Sequence, residues 1–167
     1  ELQFYPPGYA PAISCDQTHW CAALTIDSLQ AQFGALHGPG SPPNAIANPN
    51  CHEPVNFAFL THSGRPVGPP GPDQQTDATF TPTPDVLLMN PGDKVKVTML
   101  DTPIGYFTKV TDLTTHQSGF MTASVRNGFR HIVWDPKNLT CNGAPYAFRA
   151  MYDTASAPLA NGQPTAW

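Results

Sequence analysis

Residues 51–60 read CHEPVNFAFL, and Cys51, His52 and Glu53 stand side by side at its start. A thiolate, an imidazole and a carboxylate are the donor types that bind a transition metal or move protons. Their spacing argues against a single site. Neighbouring side chains on a strand point to opposite faces, so His52 and Glu53 diverge once Val55, Phe57 and Phe59 enter a core. Pro54 lacks an N–H and fixes the entry of that strand. The triplet therefore reads as a tethered strand entry at a sheet rim. The other histidines, His19, His37, His62, His116 and His131, never fall at H-x-H, H-E-x-x-H or H-x3-H spacing, so no metal or cofactor is expected. The ten aspartates form no D-x-D-x-D-G loop and read as turn formers. No G-x-S-x-G nucleophile elbow occurs. Only two glutamates are present, Glu1 and Glu53, so facing acids of the kind a sugar hydrolase uses would have to be aspartates. No catalytic residue is assigned, and the chain reads as non-enzymatic.

Binding chemistry has more material. Trp20, Trp134, Tyr106 and Tyr146 are aromatic rings of the kind that stack on sugars. The same rings would also fill the core of a domain this size.

The four cysteines are Cys15, Cys21, Cys51 and Cys141. An even count in a Pro-rich chain of low charge suggests disulfides and an oxidising compartment. The expected pairing is Cys15 with Cys21 and Cys51 with Cys141. The second bridge would close a loop of about 90 residues, worth about 4–5 kcal/mol in the chain-entropy model. The rival, a four-cysteine zinc site, needs C-x2-C pairs, and the sequence has none. Asn138-Leu139-Thr140 is the one N-x-[ST] sequon, which makes Asn138 the candidate glycan acceptor. The chain opens on Glu1 rather than Met, as a mature secreted protein or an excised piece of a longer chain would.

What must position these residues follows from composition and pattern. The 167 residues suit one domain. Charged residues make up 12%, about half the usual share. The net charge of −4 rests on eight scattered Lys and Arg, which makes nucleic acid an unsuitable partner. No apolar run is long enough to span a bilayer. Twenty prolines break helix interiors and central strands alike, leaving short strands and stiff loops. Residues 1–14, ELQFYPPGYAPAIS, read as an extended apolar arm, lying on its own domain or on a neighbour. Alternation marks strands in WCAALTIDSL, EPVNFAFLTH, ATFTP, DVLLMN, KVKVTMLDT, GYFTKVTDLTT, HQSGFMTASV, RHIVWD and YAFRAMYD. A helix through DSLQAQFGALHG competes with the first. Asn90-Pro91-Gly92-Asp93 fits a type II turn, after which Val95, Val97 and Met99 should be buried and Lys94, Lys96 and Thr98 wet. About eight or nine short strands with Gly/Pro turns predict an all-β chain, an antiparallel β-sandwich of jelly-roll or concanavalin-like form. The expected divisions are the arm at 1–14, the sandwich at 15–156 and a linker-like tail at 157–167.

Two stretches, EPVNFAFL with GRPVGPPGP, and LLMNPGDKVKVTMLDT with KVTDLTTHQSGFMTAS, resemble an uncharacterised family of secreted bacterial and fungal all-β proteins. The resemblance covers roughly residues 20–156 and implies export and an all-β domain, with no activity attached. DKVKVTML followed by KVTDLTTHQSG is similar to the glutamic peptidases, secreted concanavalin-like sandwiches. Their catalytic Glu lies in a strand near the C-terminus, where this chain has FRHIVWD and no glutamate. Only Glu53 could take that role.

The expected function is that of a non-catalytic secreted protein acting as an extracellular structural, surface or filament component. Its arm is suited to self-association by strand addition. The alternatives are a carbohydrate-binding module and a secreted glutamic-peptidase-like hydrolase.

Overall fold

The computed structural model describes residues 1–9, 15–27, 55–135, 137 and 140–148, with backbone only at Asp27, Val133, Trp134 and Cys141. These residues form an all-β structure of eight strands in three small antiparallel sheets. Strands β1 (Leu2–Tyr5), β2 (Cys21–Asp27) and β3 (Val55–Phe59) make the first sheet, in that order. Strands β4 (Val95–Thr102), β5 (Gly105–Asp112) and β6 (Ser118–Ala123) make the second. Strands β7 (Arg130–Asp135) and β8 (Thr140–Pro145) make the third.

Register decides what faces what, because residues directly opposite each other share a face. In the first sheet Leu2 lies opposite Leu24, and Leu24 opposite Ala58. Ala22, Leu24 and Ala58 join Val110, Met121 and Ala123 of the second sheet in one apolar cluster with Leu60, Leu87, Met89 and Phe129. The opposite face of the first sheet buries Tyr5, Cys21, Ala23, Phe57 and Phe59 beside Val86. Both faces of β3 are thus covered, which is why Asn56 through Phe59 are all buried. Residues 2–5 of the N-terminal arm are part of this sheet, paired along β2 of the same chain.

Asn56 is a buried polar residue whose amide behaves like strand backbone. Its Oδ1 accepts from the Arg130 amide at 2.8 Å and its Nδ2 donates to the Arg130 carbonyl at 2.7 Å. This ties the start of β7 to β3. Arg130 also donates through Nε to Asp73 at 2.9 Å and through its guanidinium to the Gly143 carbonyl at 2.6 Å.

Four sequence expectations are corrected. Residues of ATFTP form a 3-10 turn, Asp77–Phe80, rather than an edge strand. The Thr79 hydroxyl accepts from the Thr76 amide and donates to the Pro69 carbonyl, so local bonds win over a ladder. DVLLMN makes only isolated bridges, Thr61 to Val86 and Trp20 to Met89, because its two ends run antiparallel to two different chain segments, one just after β3 and one just before β2. The last strand is Thr140–Pro145, ahead of YAFRAMYD; of that stretch, residues 146–148 are not strand and the rest lies outside the described residues. Finally, Val95, Val97 and Met99 are not buried: they stay 39%, 42% and 41% exposed. They share a face with Asp112, Val110 and Thr108. However, β4 is the outermost strand of its sheet and lies beyond the apolar cluster.

Two turns are as expected. Gly92 takes φ 92° and Asp93 donates its amide to the Asn90 carbonyl at 3.1 Å, as a type II turn requires. The β5–β6 hairpin closes on Asp112, whose carboxylate accepts from the Thr114 and Thr115 amides and the Thr115 hydroxyl.

Candidate functional site

Two clefts flank the 85–90 segment. The first, about 260 Å³, is lined by His19, His62, Pro84, Val86, Leu88, Asn90, Thr115 and Gln117. The second, about 330 Å³, is lined by Phe4, Trp20, Met89, Asn90, Pro91, Gly92, Asp93 and Val95. Asn90 belongs to both, and His19 and Trp20 are neighbours in sequence.

The local sequence explains how one short loop serves both. Cys15 and Cys21 are joined in a disulfide with their Cα atoms 5.8 Å apart. Within the loop they close, the Asp16 carboxylate gathers donors. Oδ1 accepts from the Thr18 amide at 2.7 Å and the His19 amide at 2.5 Å, and Oδ2 meets His19 Nδ1 at 2.6 Å. The Thr18 amide, then the His19 ring, hold the Asp16 carboxyl well below the usual carboxylate range. Trp20 is fixed by two backbone bonds to Met89, of 2.8 and 2.9 Å. Part of its ring packs against the apolar cluster and part faces the second cleft.

His62 is fixed from another direction. Its Nδ1 lies 2.8 Å from the Ser118 carbonyl. A carbonyl only accepts, so Nδ1 carries the proton. Next to Ser118, Gly119 lets β6 pack closely: a Cβ there would stand 2.6 Å from the Leu87 Cβ and 3.1 Å from the Leu60 carbonyl.

The second cleft is apolar on its walls and polar at one lip. Phe4 is 37% exposed on edge strand β1. Asp93 accepts from the Asn90 amide at 2.7 Å and side chain at 3.0 Å. Behind it stands Asp112, which is fully buried. Burial pushes the Asp112 carboxyl up. The Thr115 hydroxyl and amide and the Thr114 amide outweigh that and hold it below its ordinary range.

The aromatic residues singled out from sequence are dispersed. Trp20 lines the second cleft. Tyr106 packs against the apolar cluster. Tyr146 stacks on His131, centroids 4.7 Å apart and planes at 16°, and meets Phe148 edge-on. The Trp134 backbone pairs with that of Cys141 across β7 and β8. Cys51, His52, Glu53 and Asn138 lie outside the described residues, as does the Cys141 side chain. Sequence reasoning missed Phe4, Asn90 and Asp93 as cleft residues. The alternation of Leu2 and Phe4 against Gln3 was the available signal for the first. Among the described residues, no three His, Cys, Asp or Glu side chains converge on a point that could hold a metal ion. No described helix is long and apolar enough to cross a membrane. Comparison of the chain with family models, curated proteins and solved structures finds no match.

Proposed function

We propose that the protein is a non-catalytic, secreted module of β-sandwich form that binds carbohydrate, with the Trp20–Phe4 cleft as its site. One observation carries this reading. An indole and a phenyl ring bound an apolar cleft whose lip bears Asn90 and Asp93. Sugars present an apolar C–H face to stack on a ring and hydroxyls for a carboxylate or amide to bind. The sandwich form is supported by one apolar cluster drawing on the facing sides of two sheets. The test is binding to a panel of immobilised glycans. Retention of at least one glycan, lost in Trp20→Ala and weakened in Phe4→Ala, is the expected result. Silence across the panel would end the proposal.

A second reading is self-association as an extracellular structural, surface or filament component. It is favoured by the exposure of Phe4 on β1 and of Val95, Val97 and Met99 on β4, both outermost strands of their sheets. Exposed apolar edges invite strand addition. Sedimentation of the full chain, of Val97→Lys and of a chain lacking residues 1–14 tests it. An unchanged monomer mass at all concentrations would exclude it.

A further inference from the structure

We infer that the outer edge of β4 is a docking site for an extended peptide from another protein, one with three alternating apolar residues flanked by basic ones. The inference goes beyond the carbohydrate reading, and it assigns the β4 edge to a partner other than a second copy of this chain.

The two edges of the second sheet differ. On the β6 side, Phe120 and Thr61 exchange backbone bonds of 2.9 and 3.3 Å, so that edge is taken. On the other side, β4 pairs with β5 alone among the described residues. The Leu113 amide donates to the Lys94 carbonyl at 2.7 Å. In an antiparallel pair, bonded positions recur at every second residue. The register sets Lys96 opposite Thr111, Thr98 opposite Lys109 and Leu100 opposite Phe107, so these β4 residues direct their backbone groups to β5. Val95, Val97 and Met99 then turn theirs outward. The other side of β5 agrees: the Asp112 amide donates to the Gln117 carbonyl at 2.9 Å, which leaves the odd-numbered residues of β5 for β4.

Side chains repeat that division. Val95, Val97 and Met99 are on the same face of the sheet as Val110 and Thr108, which are fully buried, yet they stay exposed. Core-facing apolar side chains beside unpaired N–H and C=O groups are what strand addition completes. A strand laid here would cover them, since residues directly opposite share a face.

Charge decides the occupant. Asp101 is exposed two residues after Met99 on the same face, and Asp93, two residues before Val95, lines the second cleft with it. Acids thus stand at both ends of the apolar run. A second copy fits poorly. The antiparallel pairing that sets all three apolar residues against those of another β4 centres on Val97. It also sets Asp93 against the second copy's Asp101 at both ends, and like charges directly opposite are destabilising. The strand that fits carries Lys or Arg at both ends, eight residues apart, with apolar residues at the three alternate positions between. No two of this chain's eight Lys and Arg residues stand at that separation, so the partner comes from another protein. Self-association is left with β1 as its edge.

The experiment is fluorescence anisotropy of the labelled peptide KTVTVTVTK, titrated with the full, oxidised chain. The control peptides are ETVTVTVTE and KVVVTTTTK, the second keeping composition and charge but losing the alternation. Saturable binding of KTVTVTVTK is expected, with each basic end contributing about twofold to fivefold in affinity, as an exposed ion pair does. Both controls should bind more weakly. Val97→Lys should weaken binding by about tenfold, because a lysine on an edge opposes pairing. Asp101→Lys should narrow or reverse the preference for KTVTVTVTK over ETVTVTVTE, which misfolding alone would not do. Both substituted positions are exposed, and the circular dichroism of each variant should match that of the parent. No binding of KTVTVTVTK, equal affinity for the three peptides, or undiminished binding by Val97→Lys would overturn the inference. So would a Val97-dependent dimer that binds none of the peptides, which would give the edge to a second copy. Trp20→Ala, which should abolish glycan binding, should leave peptide binding intact, so the two readings fail separately.

Discussion

The Asp16 carboxylate and the His19 ring meet at 2.6 Å inside the loop that the Cys15–Cys21 disulfide closes. One hydrogen-bonded loop, its two cysteines six residues apart in sequence, thereby sets a histidine in one cleft and, through the next residue, a tryptophan in the other. The pH dependence of this loop follows from its carboxylate. Asp16 titrates lower in the folded chain than in the unfolded one. Its contribution to stability is thus complete above the unfolded value, about pH 4, and is lost as pH falls below that toward the folded value. With Trp134 and Trp167 replaced by phenylalanine, Trp20 fluorescence should change as pH falls below about 4. In Asp16→Ala that acid change should shrink. An identical acid profile in the variant would contradict this role.

Cleaving the bridge should act on both clefts together. The chain-entropy model gives about 2 kcal/mol for so short a loop. A Cys15→Ser, Cys21→Ser double variant should lower the thermal midpoint and weaken ligand binding at Trp20. Full binding with a lowered midpoint would mean that the Trp20–Met89 backbone pair positions the ring unaided.

Asn56 offers a test of the fold itself. It is buried and exchanges two hydrogen bonds with the Arg130 backbone. Asn56→Ala takes these bonds from the part-buried Arg130 amide and carbonyl, a loss of about 1–3 kcal/mol in all. Asn56→Asp can still accept but cannot donate, and should be destabilised too. Denaturant unfolding measures both, and a change under half a kcal/mol would show that water replaces the side chain (about the scatter of ordinary surface substitutions).

Gly119 tests how the floor between the clefts is seated. An added methyl would stand 2.6 Å from the Leu87 Cβ. Gly119→Ala should cost about 1–3 kcal/mol through overpacking. It should also shift the 85–90 segment that lines both clefts, so ligand affinity falls along with stability. An unaltered midpoint would show that Leu87 can move aside freely.

How much of this was legible in the sequence varies by element. The β5–β6 hairpin and the Asn90–Asp93 turn were readable, because period-two alternation and a Pro-Gly turn are local signals. The Asp77–Phe80 turn was not, since Thr79 forms it by bonding to Pro69, ten residues away. Alternation in β4 correctly put Val95, Val97 and Met99 on one face. It could not say whether anything lies over that face. His19 and His62 have no shared motif, and both line one cleft only because residues 85–90 bridge Thr61 near one end and Trp20 near the other. Phe4 was hidden in what read as an arm, although Leu2 and Phe4 already alternated with Gln3.

Carbohydrate binding at the Trp20–Phe4 cleft is tested most directly by one titration. The full, oxidised chain, with Trp134 and Trp167 replaced by phenylalanine so that emission reports Trp20, is titrated with the best glycan from the panel, and the titration is repeated with Phe4→Ala. Saturable change in Trp20 emission, with weaker affinity in Phe4→Ala, is the predicted result. Glycan bound with no change in Trp20 emission and equal affinity in the variant would place the ligand elsewhere and contradict it.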